Sequence, residues 1–396
     1  MKSKKLLKSE TVNNGGSHAN KRNFNLNPPR KSLMIAVASL ALSAVALPAS
    51  ATNWWTQTPT LSIGSTVINV QNMGAIANGV TDDTAAFQAA FNALPASGGT
   101  VVVPNGTYMI NALVGISMPS HSRLSMDASA VLSAIPNNAE RSWVVKVWNV
   151  NNVEILGGHI VGERVGHTGT TGEWGYGIDV EGSSTVSVHD IGLSNCWGDG
   201  MVVSATGSGS TAVLSTGVTI NRVTSTNNRR QGLTIGPSQQ VYVVNSSFTD
   251  SNGIAPQAGI DIEPATQGST SQVRIENSVL SNNVGNGLEM HANVSGVVLT
   301  TTTAENNQGY GVFDDGADNT QITSNLLSEN YLFGVDMAGT TTDVQIDNNT
   351  ITWNGDAWFY AHNESIFTEG WDPRDITIES STSDISLANN TISPQL

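Results

Sequence analysis

The sequence predicts an all-β protein, a right-handed parallel β-helix with a capping helix at its N-terminal end, and three observations predict it. Charged residues make up 12% of the 396, while glycine numbers 39. Low charge with many β-branched and small polar residues suits strands and tight turns rather than helices. A glycine followed by an apolar strand recurs at Gly177, Gly200, Gly232, Gly259, Gly287, Gly311 and Gly334, at intervals of 23 to 32 residues. Short alternating strands separate these glycines, among them Val153-Glu154-Ile155, Val186-Ser187-Val188, Val241-Tyr242-Val243 and Val344-Gln345-Ile346, each followed by an Asn-bearing turn. A period in the twenties with two or three strands per unit is one coil of a solenoid, whereas a propeller blade needs about 40 residues and antiparallel hairpins.

The first 51 residues read separately. Eight of the seventeen Lys/Arg lie there with a single acid, Glu10, ahead of an apolar run from Leu33 to Leu47 and an Ala49-Ser50-Ala51 site. That is the pattern of a secretory signal cleaved after Ala51, with an extended basic leader, and it predicts a secreted or periplasmic protein. The apolar run is shorter than the ~20 residues a membrane span needs. One β-helix domain over 52–396 follows, its cap at about 65–110 and its coils at about 110–396, with the repeat plainest from Val144 onward. The mature chain carries a net charge of about −22 and one lysine, Lys146. Such a surface repels nucleic acid and anionic membranes, and repels a polyanionic glycan unless cations or local arginines intervene. The single cysteine, Cys196, excludes an internal disulfide and reads as a small buried hydrophobe.

Within the cap, Ala85 to Leu94 places Phe87, Phe91 and Leu94 on one helical face, with Asp82, Asp83 or Thr84 available to cap it. Gly98-Gly99 ends the helix, Thr100 to Val103 is a strand, and Pro104 to Tyr108 is a turn. A helix over the first coil hides an otherwise open sheet edge. The stretch Asn69 to Tyr108, including Gly74-Ala75, Asp82-Asp83-Thr84 and Gly98-Gly99-Thr100, resembles the capping module of pectate-lyase-like and polygalacturonase-related β-helix proteins. That resemblance implies the fold, with general similarity through the coils behind it.

Stacked coils set equivalent side chains about 4.8 Å apart, so one register becomes a ladder along one face. The strands after the recurring glycines carry Asp179, Glu181, Asp261, Glu263, Glu289, His291, Asp314, Asp315 and Asp336, with Asp199, Arg229 and Arg230 in the turns before them. Paired carboxylates are what glycoside hydrolysis requires, one to protonate the leaving oxygen and one to activate water or attack carbon. The expected catalytic groups are Asp179, Asp199, Asp261 and Glu263. Asp179 and Asp261 lie three coils apart, so the working pair is either Asp179 with Asp199 or Asp261 with Glu263, with Arg229 and Arg230 between. Glu173, Trp174, Glu181, Arg229, Arg230, Glu289 and His291 are the expected substrate-binding residues. An alternative is a structural network of stacked Asp, Arg and Asn that satisfies turn backbones.

The segment His159 to Tyr176 departs from the coil pattern and gathers Glu163, Arg164, His167, Glu173, Trp174 and Tyr176. It is expected to overhang the face that holds Asp179. Trp197 reads equally as a sugar platform or a shield of the coil edge. His189 and His291 read as turn or outer-face residues, and no metal ligands are assigned. The aromatic cluster Trp353, Trp358, Phe359, Tyr360, Phe367 and Trp371 reads as the C-terminal cap.

The order Gly177-Ile178-Asp179-Val180-Glu181, Gly198-Asp199-Gly200, Asn228-Arg229-Arg230-Gln231-Gly232 resembles the catalytic module of mannuronan epimerases and related alginate lyases. The chain has Glu181 and Gln231 where that family carries histidines. The resemblance implies uronate chemistry with Arg230, His167 or Tyr176 as base. The residues therefore predict an exported enzyme that cleaves glycosidic bonds in a polysaccharide. A lyase or epimerase and a non-catalytic glycan-binding surface protein are the alternatives. No cofactor is required on this reading; Ca2+ is compatible with the acidic ladders, although no repeat spells a calcium motif.

Overall fold

The computed structural model describes residues 53–264, 268–355 and 375–393. The leader and its cleavage site lie outside these residues, as do Trp358, Phe359, Tyr360, Phe367 and Trp371 of the aromatic cluster. Among the described residues no helix is long and apolar enough to cross a membrane.

The chain is a right-handed parallel β-helix. Among the described residues every pairing between the strands is parallel, in one sheet of 22 strands and a second of ten. Stacking begins earlier than the repeat in the sequence suggests. Thr66–Asn69 pairs with Gly99–Val103, which pairs with Ser122–Met126 and then Asn151–Leu156, so the cap region already forms coils. Alternation then decides which side chains enter the core. In the large sheet Val101, Leu124, Ile155, Val188, Ile220, Val243, Ile275, Leu299, Ile322 and Ile346 occupy one register and all are buried. Stacked about 4.8 Å apart, they form a continuous apolar column that no single coil could bury alone.

The α-helix spans Thr84–Asn92 and lays Phe87 and Phe91, both buried, over the first coil, with the Phe87 ring edge-on to Tyr108 at 5.3 Å. Asp83 stands at the N-cap position but gives the helix no side-chain bond. Its carboxylate instead accepts from the Ile76 and Ala77 N–H groups, tying the helix start to the preceding turn, while Asp82 accepts from the Thr84 N–H.

The recurring glycines have a steric cause. A Cβ on Gly177 would sit 2.6 Å from the Gly200 carbonyl oxygen, and one on Gly232, Gly259, Gly287 or Gly311 would sit 2.6–2.8 Å from the next coil's glycine carbonyl. The same carbonyls accept the N–H of the residue that follows the preceding coil's glycine, as Gly259 does from Leu233. Only a residue without a side chain lets the coils close to that hydrogen bond.

Two turns per coil share one device. A single left-handed residue bends the chain, and the next residue's side chain accepts the backbone N–H of the coil before it. In one column, Asn245, Asn277, Thr301, Ser324 and Asn348 are left-handed. Behind them, Ser278, Thr302, Asn325 and Asn349 each accept from the N–H of the preceding member of the column that starts at Ser246. In the other, Asn282, Asn306, Glu329 and Trp353 are left-handed, and Asn283, Asn307, Asn330 and Asn354 form the ladder.

Candidate functional site

The ten-stranded sheet carries the candidate site. One outward register runs through Ser117, Lys146, Asp179, Val202, Thr234, Asp261, Glu289, Phe313 and Asp336. Asp179 and Asp261 therefore do share a register, three steps apart, as the spacing predicts. At about 4.8 Å per step their Cα atoms stand roughly 14 Å apart.

A cleft of about 290 Å³ opens on this face, lined by residues that include Arg141, Trp143, Trp174, Tyr176, Glu181, Thr234, Arg230 and Glu263. Arg230 organises it. Its Nη1 donates to Asp199 Oδ2 at 3.3 Å and its Nη2 to Glu263 Oε1 at 2.5 Å. Thr234 also donates to Asp199 Oδ2, at 2.8 Å, and Gln231 donates to the Thr234 hydroxyl at 2.7 Å. Asp199 is thus joined to Glu263 through Arg230, and the expected Asp179–Asp199 pair gives way to this grouping. The reason is chain geometry: Asp199 ends a turn, so its side chain meets the next coils at Arg230 and Thr234 rather than the strand before it.

Asp179 belongs to a neighbouring group. Trp148 Nε1 donates to its Oδ2 at 3.0 Å, and burial followed by the Glu181 charge pushes its carboxyl well above the usual range. Asp179, Asp199 and Asp261 all have no exposed surface. Burial lifts Asp199 to about 7 against the opposing pull of Arg230 and the Thr234 hydroxyl, with Glu263 and Asp261 lifting it further. Among the predicted catalytic carboxylates, Glu263 reaches the cleft, with 29% of its side chain exposed. Glu181 lies there too, and burial raises its carboxyl while Arg141 opposes. Tyr176, assigned above only to the lyase alternative, lines the same cleft. Burial, then the charges of Asp199 and Asp179, push its phenol up, with Arg230 and Arg141 pulling it back.

The predicted binding residues divide. Trp174 walls the cleft beneath Arg141, whose guanidinium lies 5.1 Å from its ring. Arg229 does not face the cleft. It lies 3.8 Å from the Trp197 ring and donates to the Gly172 carbonyl, with the Glu173 charge beside it, so Arg229 and Glu173 fasten a loop rather than line the cleft. Trp197 is accordingly a shield, stacked on its other side against His167 at 3.7 Å. The excursion itself is residues 162–173, because His159–Val161 and Trp174–Glu181 are ordinary coil strands. Glu163 and His167 are buried within the loop, and Arg164 pins it to Asn227 and Asn252 of the following coils. His167 therefore cannot serve as a base in the cleft.

Beyond the cleft the ladder continues into Asp261, Glu289 and His291. His291 Nε2 lies 3.2 Å from Asp261 Oδ1 and 3.3 Å from Glu289 Oε1. His291 is therefore not an isolated outer-face residue. Burial lifts Asp261 to about 6, and the two carboxylates raise His291 to about 10. His189 does lie on an outer face, between Glu154 and Asp190.

A parallel β-helix with a cleft of carboxylates, arginines and aromatic rings on one sheet is the class that fold and site define. The family described as rhamnogalacturonase A/epimerase, pectate lyase-like, matches residues 67–289, and the right-handed β-helix region family matches 257–392. The chain belongs to the rhamnogalacturonase A/epimerase, pectate-lyase-like family. The uncharacterized protein YclG of Bacillus subtilis (strain 168) is 30% identical over 281 residues, 64% of this chain and 46% of that one. The chain thus spans about half the length of this curated relative. Among solved structures, the A-module of mannuronan C-5 epimerase AlgE6 from Azotobacter vinelandii superposes with a TM-score of 0.61 at 18% identity, covering 83% of this chain and 99% of that one. PfbA, a surface adhesin of Streptococcus pneumoniae, gives 0.60 at 15% identity, covering 82% and 89%. At such identities these two likenesses concern the fold.

Proposed function

We propose that this chain is an exported enzyme that cleaves glycosidic bonds in a carbohydrate polymer, with Glu181 and Glu263 as its acid and base. The family and the basic-then-apolar leader support this reading. One observation carries the chemistry: Glu181 and Glu263 are the carboxylates that line the cleft, and their surroundings differ. Glu181 is held toward its protonated form by burial, which suits a proton donor, while Glu263 is ion-paired with Arg230, which suits the charged partner that activates water or attacks carbon. Trp143 and Trp174 supply apolar ring faces on which a sugar stacks. Asp199 and Asp179, without exposed surface, act as positioning residues, Asp199 through Arg230 and Asp179 beside Glu181.

The test is a panel of polysaccharides scored for new reducing ends and for ultraviolet-absorbing unsaturated products. Reducing ends without the chromophore are expected, with Glu181→Gln lowering kcat by about 10²–10⁴. Unchanged turnover in Glu181→Gln would remove it from the reaction. A second reading, elimination or epimerisation on a uronate, is favoured by Tyr176 lining the cleft together with Arg141 and Arg230, where a sugar carboxylate would find two cations. The unsaturated chromophore, or inversion at the sugar without cleavage, together with loss of either activity in Tyr176→Phe, would establish that reading instead.

A further inference from the structure

We infer that Asp261, Glu263 and His291 form a binding site for one divalent transition-metal ion, of the Mn2+ or Zn2+ class. Each of the three offers one ligand atom, and these atoms lie within 4.8 Å of one another. Metal bonds to carboxylate oxygen and imidazole nitrogen of about 2.0–2.2 Å place neighbouring ligand atoms roughly 3 Å apart, so small side-chain rotations close the set.

Proximity of acids alone would not make a site. The second observation is Asp261 itself. It has no exposed surface, yet neither carboxylate oxygen accepts a hydrogen bond of proper geometry. A buried carboxylate without a well-aligned donor is costly, and elsewhere donors are supplied: on this ladder Asp179 receives the Trp148 indole, and on the inward register beside it Asp314 receives the Ala317 N–H and the Thr341 hydroxyl. At Asp261 the near polar atom is His291 Nε2, at 3.2 Å. The surroundings are arranged for ligation rather than for a closed hydrogen-bond network. Glu263 keeps Oε2 in hand, since Arg230 and Gln231 both donate to its Oε1. Glu289 is held by Asn286 through Oε2 and leaves Oε1 3.3 Å from the same imidazole nitrogen that faces Asp261.

The donor set selects the cation. Ca2+ and Mg2+ take oxygen ligands, whereas an imidazole with two carboxylates suits Mn2+, Zn2+ and their neighbours. The β-helix supplies the spacing: Asp261 and Glu263 lie two residues apart at one edge of the face, and Glu289 and His291 stand one coil further along. The site adjoins the cleft through Glu263, so a bound cation would stand beside the substrate's path. The inference does not depend on the hydrolytic reading, which Glu181→Gln tests without touching a ligand.

The experiment is metal binding by the full-length chain after removal of its leader. Chelator-stripped protein is titrated with MnCl2, followed by electron paramagnetic resonance, and with ZnCl2 and CaCl2, followed by calorimetry. One equivalent of Mn2+ or Zn2+ is expected at micromolar affinity. His291→Gln and Asp261→Asn are each expected to weaken it at least 10-fold, with the circular dichroism of the coils unchanged as the control on folding. No uptake of Mn2+ or Zn2+ by the stripped wild-type protein would overturn the inference. So would tighter binding of Ca2+ than of either, or full affinity retained in His291→Gln. If both variants fail to fold, the wild-type titration still decides the matter, with competition by excess Ca2+ reporting whether nitrogen takes part.

Discussion

Replacing Asn307 with alanine is expected to destabilise the β-helix by about 3–5 kcal/mol, since each buried polar group left unpaired costs about 1–3 kcal/mol. Asn307 has no exposed surface. Its Oδ1 accepts from both the backbone N–H and the side chain of Asn283, at 3.1 and 2.9 Å. Its Nδ2 donates to the Leu280 carbonyl at 3.0 Å and to Asn330 Oδ1 at 2.9 Å. Truncation strips the Asn283 N–H and the Leu280 carbonyl of these partners inside the stack, where water does not follow, and removes a rung from a ladder whose bonds polarise one another. Leucine is expected to do no better, because it fills the volume without supplying the acceptor. The companion change Asn306→Gly should be nearly neutral, within about 1 kcal/mol, because Asn306 holds a φ of 55° that glycine adopts freely. Chemical denaturation of the three variants separates the roles. A loss below about 1 kcal/mol in Asn307→Ala would mean that the turns are held by backbone stacking alone.

That contrast shows what was legible in the sequence and why. The glycine period is a covalent consequence of close approach between coils, so it stands in the sequence undisguised, and it predicted the strands of the small sheet up to Val335. The turn asparagines were visible as well, but not the division of labour between a left-handed residue and the ladder residue after it. Asn306 and Asn307 are adjacent and identical in type, and only the structure separates the bend from the bond. The candidate site was legible by register and illegible by direction. Asp179 and Asp261 share a register as expected, yet both point into surroundings that close over them, because neighbouring indole and imidazole groups cover the ladder. Arg229 and Arg230 differ by one position and so face opposite ways, one onto Trp197 and the other into the cleft. Glu181 reads from the sequence as a binding residue rather than a catalytic one, because spacing says nothing about which carboxylate a cleft exposes. Asp261, Glu263, Glu289 and His291 are legible on one ladder, but the direct contact of His291 with Asp261 is not, because the two lie on successive coils, where a one-residue difference in coil length separates them.

Stability is expected to fall as pH rises from about 4 to about 7, the reverse of ordinary acid unfolding. The cause is the burial of carboxyls that fold more readily when protonated. Asp199 is lifted to about 7 and Asp314 to about 6, in each case chiefly by burial, with hydrogen bonds opposing. The sign follows from linkage: a group whose folded-state pKa lies above its unfolded value binds its proton more tightly in the folded chain. The stability it contributes is fully present below the unfolded value, near 4, and is lost as pH rises through the folded one. At 1.36 kcal/mol per pKa unit, Asp199 accounts for roughly 4 kcal/mol of the decline and Asp314 for roughly 3 kcal/mol. On the other flank, Asp190 is drawn down to about 2, chiefly by Arg222, so its contribution is lost only in stronger acid. Together these groups put the stability maximum near pH 4. Asp199→Asn should flatten the profile between about pH 5 and 7, and Asp314→Asn the part between about 4 and 6. Denaturation midpoints across that range decide the matter, and a wild-type profile that climbs with pH would show that Arg230 keeps Asp199 ionised. Arg230→Met separates the two possibilities further. Without the guanidinium, Asp199 loses its principal opposing charge and holds its proton to still higher pH, so the part of the decline that Asp199 causes should move upward and the profile above pH 7 should fall more steeply than in the wild type.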